Sequence, residues 1–211
     1  MFITTRTHVT RHWRLLTIGS ILLMLALVAC GGGSTASSPP TPTPNPTAAP
    51  SPTAASNTQT YTGDGFTIDY PSNWKIDTST AGQVIFGDPN TGAAMRINVV
   101  DNPSSGQTAD SIVGATIQQF QSQYANLQQD SNVSNSAMVG GDTWTQQGAT
   151  YDVTSNGQAT NFTGIVLADG HPANSPTLKG FLIVYAAPSN TFDQVNNDIF
   201  QPMLQSFTFS S

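Results

Sequence analysis

Leu178-Lys179-Gly180-Phe181-Leu182-Ile183-Val184-Tyr185-Ala186-Ala187 is the stretch on which the fold turns. Its centre, Phe181 to Tyr185, is apolar without alternation. Such a run reads as a central strand with both faces buried. Everything around it is then read as the material that flanks and covers it.

Other strands announce themselves by alternation and by turn residues. Tyr61 and the segment Phe66-Thr67-Ile68-Asp69-Tyr70 flank Asp64-Gly65, a hairpin turn. Val84-Ile85-Phe86 and Ala94 to Val100 flank Asp88-Pro89-Asn90-Thr91-Gly92. In the second of these, a period of two puts Met95, Ile97 and Val99 on one face and Arg96 and Asn98 on the other. Three or four strands are expected between Met138 and Ala187. Gly140-Gly141 divides the first pair, and Asn156-Gly157 gives the strongest hairpin signal in the chain.

Two helices interrupt the strands. Thr108 is placed to cap the first, with Asp110 in the first turn, where the helix dipole favours a carboxylate. Val113, Ile117, Phe120, Tyr124 and Leu127 recur at spacings of four and three and form its apolar stripe. Gln118, Gln119, Gln121, Gln123 and Gln128 make up the polar face. The second helix starts near Ser189, buries Phe192, Val195 and Ile199, and is kinked or restarted at Pro202. Leu204 and Phe207-Thr208-Phe209 close the chain. The order strands, helix, strands, helix gives an α+β class: an antiparallel sheet flanked by helices.

Two segments carry a family resemblance. Gly65-Phe66-Thr67-Ile68-Asp69-Tyr70-Pro71-Ser72-Asn73-Trp74 resembles the G-F-x-I-x-Y-P-x-x-W opening of PsbP-like domains, and Leu204-Gln205-Ser206-Phe207 is similar to that family's closing hydrophobic-x-Ser-Phe. The resemblance spans about Thr60 to Phe209. It implies the α/β/α sandwich shared by the photosystem II extrinsic protein PsbP and the Ran-binding Mog protein. It also implies docking on larger assemblies in place of catalysis. The motif has a physical reading of its own. Phe66, Ile68 and Tyr70 line one face of a strand, Pro71 ends the ladder because it cannot donate to it, and Trp74 folds back as a lid.

The first 58 residues belong to export and tethering. Met1 to Arg14 is basic, with Arg6, Arg11 and Arg14, and Leu15 to Ala29 is mostly apolar. The apolar run is shorter than the roughly 20 residues of a membrane span and fits a secretory signal. It ends Leu27-Val28-Ala29-Cys30, followed by Gly31-Gly32-Gly33-Ser34, which resembles the bacterial lipobox. By that resemblance residues 1–29 are the signal peptide, Cys30 is diacylglycerylated, and cleavage occurs before it. Two acyl chains anchor stably where one is marginal. With no twin-Arg pair, general secretion is the expected route. Residues 30–58 carry this Cys and a Pro/Thr/Ser/Gly-rich tether, including Pro39-Pro40-Thr41-Pro42-Thr43-Pro44. Such composition cannot bury a core. Fully extended, it reaches on the order of 90 Å, far enough to hold a domain off the bilayer. Its Thr and Ser residues are open to glycosylation. Residues 59–211 form the single α+β domain.

Charge excludes some partners. After cleavage three basic residues remain, Lys75, Arg96 and Lys179, against twelve acidic ones, all Asp, for a net charge of −9. A body this acidic is repelled by nucleic acid and by anionic headgroups. With Cys30 as its only cysteine, the chain forms no internal disulfide and no Cys-based metal site.

No cofactor is expected, and the search for catalytic residues is thin. His171 lies in Asp169-Gly170-His171-Pro172-Ala173-Asn174-Ser175-Pro176, which reads as an exposed loop. Asp169 and Ser175 are near it in sequence, but no Gly-x-Ser-x-Gly elbow occurs. Asp88 to Gly92 mimics half a calcium loop, yet the twelfth position is Val99 where a bidentate Glu is needed. Trp144 reads as core packing, with a half-exposed binding role as the alternative. The expectation is a lipid-anchored, extracytoplasmic, non-enzymatic module for a protein or wall component. The alternatives are a calcium or small-molecule binder serving a membrane complex, or a hydrolase with two Asp residues facing each other across a cleft. Replacing Cys30 by Ser should move the protein from the membrane fraction to the medium or periplasm. Mass spectrometry of the parent should show a diacylglyceryl thioether. An intact leader with a free thiol contradicts the assignment.

Overall fold

The computed structural model describes residues 57–103 and 107–210. The expected signal peptide, Cys30 and nearly all of the expected tether lie outside these residues.

Antiparallel strands build the domain. In chain order they are β1 (Thr58–Gly63), β2 (Phe66–Pro71), β3 (Lys75–Asp77), β4 (Gln83–Gly87) and β5 (Ala94–Asp101) before helix α1 (Ala109–Gln123). After it come β6 (Ala125–Asp130), β7 (Ser136–Val139), β8 (Asp142–Ser155), β9 (Gln158–His171) and β10 (Lys179–Pro188). Helix α2 (Phe192–Val195), a π-helical turn (Asn196–Phe200), helix α3 (Gln201–Ser206) and β11 (Thr208–Phe209) close the chain. The large sheet runs β3-β4-β5-β10-β9-β8-β6, with β7 also paired to β8. The small sheet is β1-β2-β11. The class is α+β, as the sequence order requires.

Strand β10 lies between β5 and β9, and both of its faces are covered. Phe181, Ile183 and Tyr185 point into the main core, and Val184 points to the opposite side. Strand β9 follows the same rule, with Ile165 and Leu167 to one side and Val166 and Ala168 to the other. The smaller core is roofed by Val113, Ile117 and Phe120 of α1. The main core is roofed by Phe66, Ile68 and Tyr70 of β2 and by Val195, Ile199, Phe200, Met203, Leu204 and Phe207 of the C-terminal segment. Each such side chain contributes roughly 1.5–3 kcal/mol when fully buried.

Local chemistry explains the element ends. Thr108 caps α1: the Ser111 backbone N–H donates to Thr108 Oγ1 at 3.2 Å, and the Thr108 N–H donates to Ser111 Oγ at 2.9 Å. This is a capping box with Ser in the return position. Asn156 and Gly157 both have positive φ, +52° and +78°, as a type I′ hairpin turn demands. Pro202 has no N–H to give the Asp198 carbonyl, and the chain widens into a π turn just before it.

Two expectations need correction. Helix α1 stops at Gln123, and Tyr124 is already extended, so Leu127 and Gln128 belong to β6. Strands β7 to β10 are the three or four expected between Met138 and Ala187. His171 is the last residue of β9 and is half-buried, where an exposed loop was expected. Trp144 is core packing, as read from the sequence: it is fully buried, its Nε1 donating to the Val139 carbonyl at 3.0 Å amid Phe181, Phe207 and Phe209. Substituting Trp144 by Ala should therefore cost about 3–5 kcal/mol. Urea denaturation should show a lowered midpoint with an unchanged slope. A loss below about 1 kcal/mol is inconsistent with this burial.

Candidate functional site

Strands β6 and β7 pair successively along the same outer edge of β8, and residues 131–135 separate them. The interruption falls opposite Gln146 and Gln147. Val133 anchors the crossing segment. Its side chain packs where Gly148 has none, so a Cβ on Gly148 would lie 2.5 Å from Val133 Cγ2. Gln146 fixes the far end: its backbone N–H donates to the Asn135 carbonyl at 2.7 Å, and its Nε2 donates to the Ser134 carbonyl at 3.0 Å.

The break leaves a groove of about 400 Å³ between this segment and the start of α1. Asp110, Val113 and Gly114 of α1 form one wall, and Asp130 to Asn135 contribute the other. Thr145, Gln146 and Gln147 of β8 lie between them. Each wall is held by its own hydrogen bonds. Thr145 Oγ1 of β8 donates to Asp110 Oδ1 of α1 at 2.8 Å, and within the other wall Asp130 Oδ1 accepts from the Asn132 backbone and side-chain nitrogens at 2.9 and 3.0 Å. The lining combines Val113 and Val133 with amide, hydroxyl and carboxylate groups and has no basic side chain.

A second polar cluster lies at the end of β9. His171 Nδ1 is 2.6 Å from Asp142 Oδ2, and the imidazole stacks flat on Phe209, with ring centres 3.7 Å apart. Asp169 lies on the same strand, its Oδ2 buried without a hydrogen-bond partner among the described residues. Burial holds the Asp169 carboxyl above the usual range; Asp142 adds to the rise, and the Gly170 N–H and His171 oppose it. Next to this, Lys179 bridges Asp64 and Asp101. Ser175, the other candidate near His171, is engaged with Thr177. Asp88 is the acceptor of its own turn, from the Asn90 N–H at 2.9 Å and Thr91 Oγ1 at 2.7 Å. Among the described residues no group of three or more His, Cys, Asp or Glu side chains is placed to hold a metal ion.

Sequence reading singled out Asp110 as a helix-dipole partner and missed the groove. Gly114 was the available signal. A glycine inside a helix costs about 1 kcal/mol relative to alanine, so it asks for a reason.

No protein-family model matches the chain, and no curated protein matches it. Solved structures of similar shape include the following two. The crystal structure of Mycobacterium tuberculosis LpqN, described as involved in cell envelope biogenesis, aligns with a TM-score of 0.49 at 12% identity. That alignment covers 74% of this chain and 91% of LpqN. A Bacteroides thetaiotaomicron protein aligns with a TM-score of 0.43 at 13% identity, over 69% of this chain and 45% of its own.

The Asp169 environment has a pH signature. A carboxyl whose folded pKa is raised binds protons more tightly when native. It therefore costs stability as pH climbs from the ordinary Asp range through the folded pKa, and the cost is complete above it. Asp169→Asn should raise the melting temperature at pH 7, and the gain should shrink towards pH 4. A gain that is absent at pH 7, or larger in acid, contradicts this reading of the buried oxygen.

Proposed function

We propose that this protein is held by a diacylglyceryl Cys30 on the outer face of the cytoplasmic membrane, and that its domain binds a cell-wall polymer without altering it. The observation that carries the reading is the groove at the β6–β7 break. It is already formed, each wall is tied to β8 by hydrogen bonds, and most of its lining residues can exchange hydrogen bonds with a polar ligand. The tether supports it, because a Pro-rich chain of that length places the domain within reach of the wall. The PsbP-like opening motif is consistent with it: Phe66, Ile68, Tyr70 and Trp74 are all buried packing residues.

A wall polymer is favoured over a protein partner by the surface. Stable protein docking is marked by contiguous apolar patches. The large exposed hydrophobics among the described residues are Ile76, Val100 and Met138. Ile76 is on the edge strand β3, and Met138 is on β7 at the other side of the sheet.

The hydrolytic alternative has one observation in its favour, since Asp110 and Asp130 line the same groove. Both already accept hydrogen bonds that hold the walls. One experiment separates the readings. Full-length protein in detergent micelles is sedimented with purified wall sacculi, and the supernatant is assayed for released fragments. Saturable co-sedimentation with intact sacculi is expected. Failure to sediment with the wall contradicts the proposal, and soluble fragments that disappear in Asp110→Asn or Asp130→Asn would establish hydrolysis instead.

A further inference from the structure

Two glycines border the groove for different reasons. Gly148 is demanded by the protein itself, because a Cβ there would collide with Val133. Gly114 is demanded by nothing among the described residues. It lies within α1, its φ is not left-handed, and a Cβ added to it meets no atom of those residues within 4 Å. Any larger residue at this position would favour the helix and project into the space between the walls. A helix interior that forgoes that gain, with no packing or backbone cause, indicates that the space is used.

The lining defines the user. Gln129, Asn135 and Gln147 each carry both a donor and an acceptor, and so does the Ser131 hydroxyl, while Thr145, whose proton goes to Asp110, and Gln146, whose Nε2 reaches the Ser134 carbonyl, keep their acceptor oxygens. That mixed set suits a ligand whose groups also donate and accept, as sugar hydroxyls and acetamido groups do. Asp110 and Asp130 accept only, and they set the sign of the local field. The domain's basic residues stand elsewhere: Lys179 is engaged by Asp64 and Asp101, Arg96 is on β5, and Lys75 is on β3. A phosphate or uronate would enter an acidic groove without a counter-charge. The volume of about 400 Å³ falls within the ~300–1,000 Å³ of small-ligand sites. The hydrogen bonds that tie each wall to β8 mean that little ordering remains to be done on binding.

We infer that the groove takes a short stretch of neutral glycan, and that Gly114 is the specificity-determining residue that keeps it open. This rests on the wall-binding reading and names its ligand class and its site. Full-length protein in micelles is titrated calorimetrically with chitotetraose, maltotetraose and cellotetraose, and with tetragalacturonate as the anionic counterpart. At least one neutral tetrasaccharide should bind saturably, with tetragalacturonate at least about tenfold weaker, a difference of roughly 1.4 kcal/mol. Gly114→Gln should weaken the neutral ligand by at least about tenfold while melting no lower than the parent. Gly114→Ala, which adds one methyl in open space, should stay within about threefold of the parent (~0.7 kcal/mol).

The inference is overturned if none of the neutral sugars binds, if the anionic sugar binds equally well, or if Gly114→Gln binds undiminished. Should sacculi sediment equally with the parent and with Gly114→Gln, wall binding stands and the groove assignment falls. Should tetrasaccharides bind in a Gly114-dependent way while sacculi do not sediment, the groove assignment stands and the wall is the wrong source.

Discussion

Strand β10 imposes one demand on the rest of the molecule: both of its faces must be kept from water. Phe181, Ile183 and Tyr185 press one way and Val184 the other, so a two-layer fold would leave one set exposed. Helix α1 covers the smaller core. The β1–β2 hairpin, the C-terminal helical segment and β11 cover the larger. Strand β11 pairs with β2 at Thr208↔Thr67 and Phe209↔Phe66, so the last residues of the chain close over the first hairpin. Nothing covalent holds this arrangement, since Cys30 is the only cysteine and lies before the domain.

The same demand explains what could be read from the sequence. Strands that bury one or both faces declare themselves through Phe66, Ile68 and Tyr70, through Met95 and Ile97, and through Phe181 to Tyr185. The α1 stripe was legible through Phe120. It misled beyond that point because Tyr124 and Leu127 continue a helical spacing by coincidence. What converts them is pairing of Gln128 with Thr150 and Asp130 with Gly148, which no local pattern contains. Strand β6 is polar and mostly exposed, so it offered no alternation to detect. His171 was misjudged for a related reason: it is covered by Phe209, which is far along the chain.

The groove was illegible for a topological reason. It exists because two short strands share one edge and the chain detours between them, with Val133 seated on Gly148. Its residues come from the start of α1, from the detour and from β8, and no motif spans such distances. Charge, by contrast, was legible throughout. Twelve Asp residues stand against three cations, and the same imbalance reappears in the groove as a lining without a basic side chain. The buried guanidinium of Arg96 is the exception. Its Nε lacks a partner among the described residues, and burial lowers its pKa from the usual value. It lies beside the stacked Tyr124 and Tyr151, on the face where alternation placed it.

If both cores depend on β10, its amides should be the last to open. Native-state hydrogen exchange under increasing denaturant measures this directly. The amides of Phe181 to Tyr185 should exchange only through global unfolding, with an opening free energy and denaturant slope equal to those of the whole domain, while β1 and β6 open earlier. Exchange of the β10 amides through a smaller opening, with the helical layers still protected, would contradict the central place given to this strand.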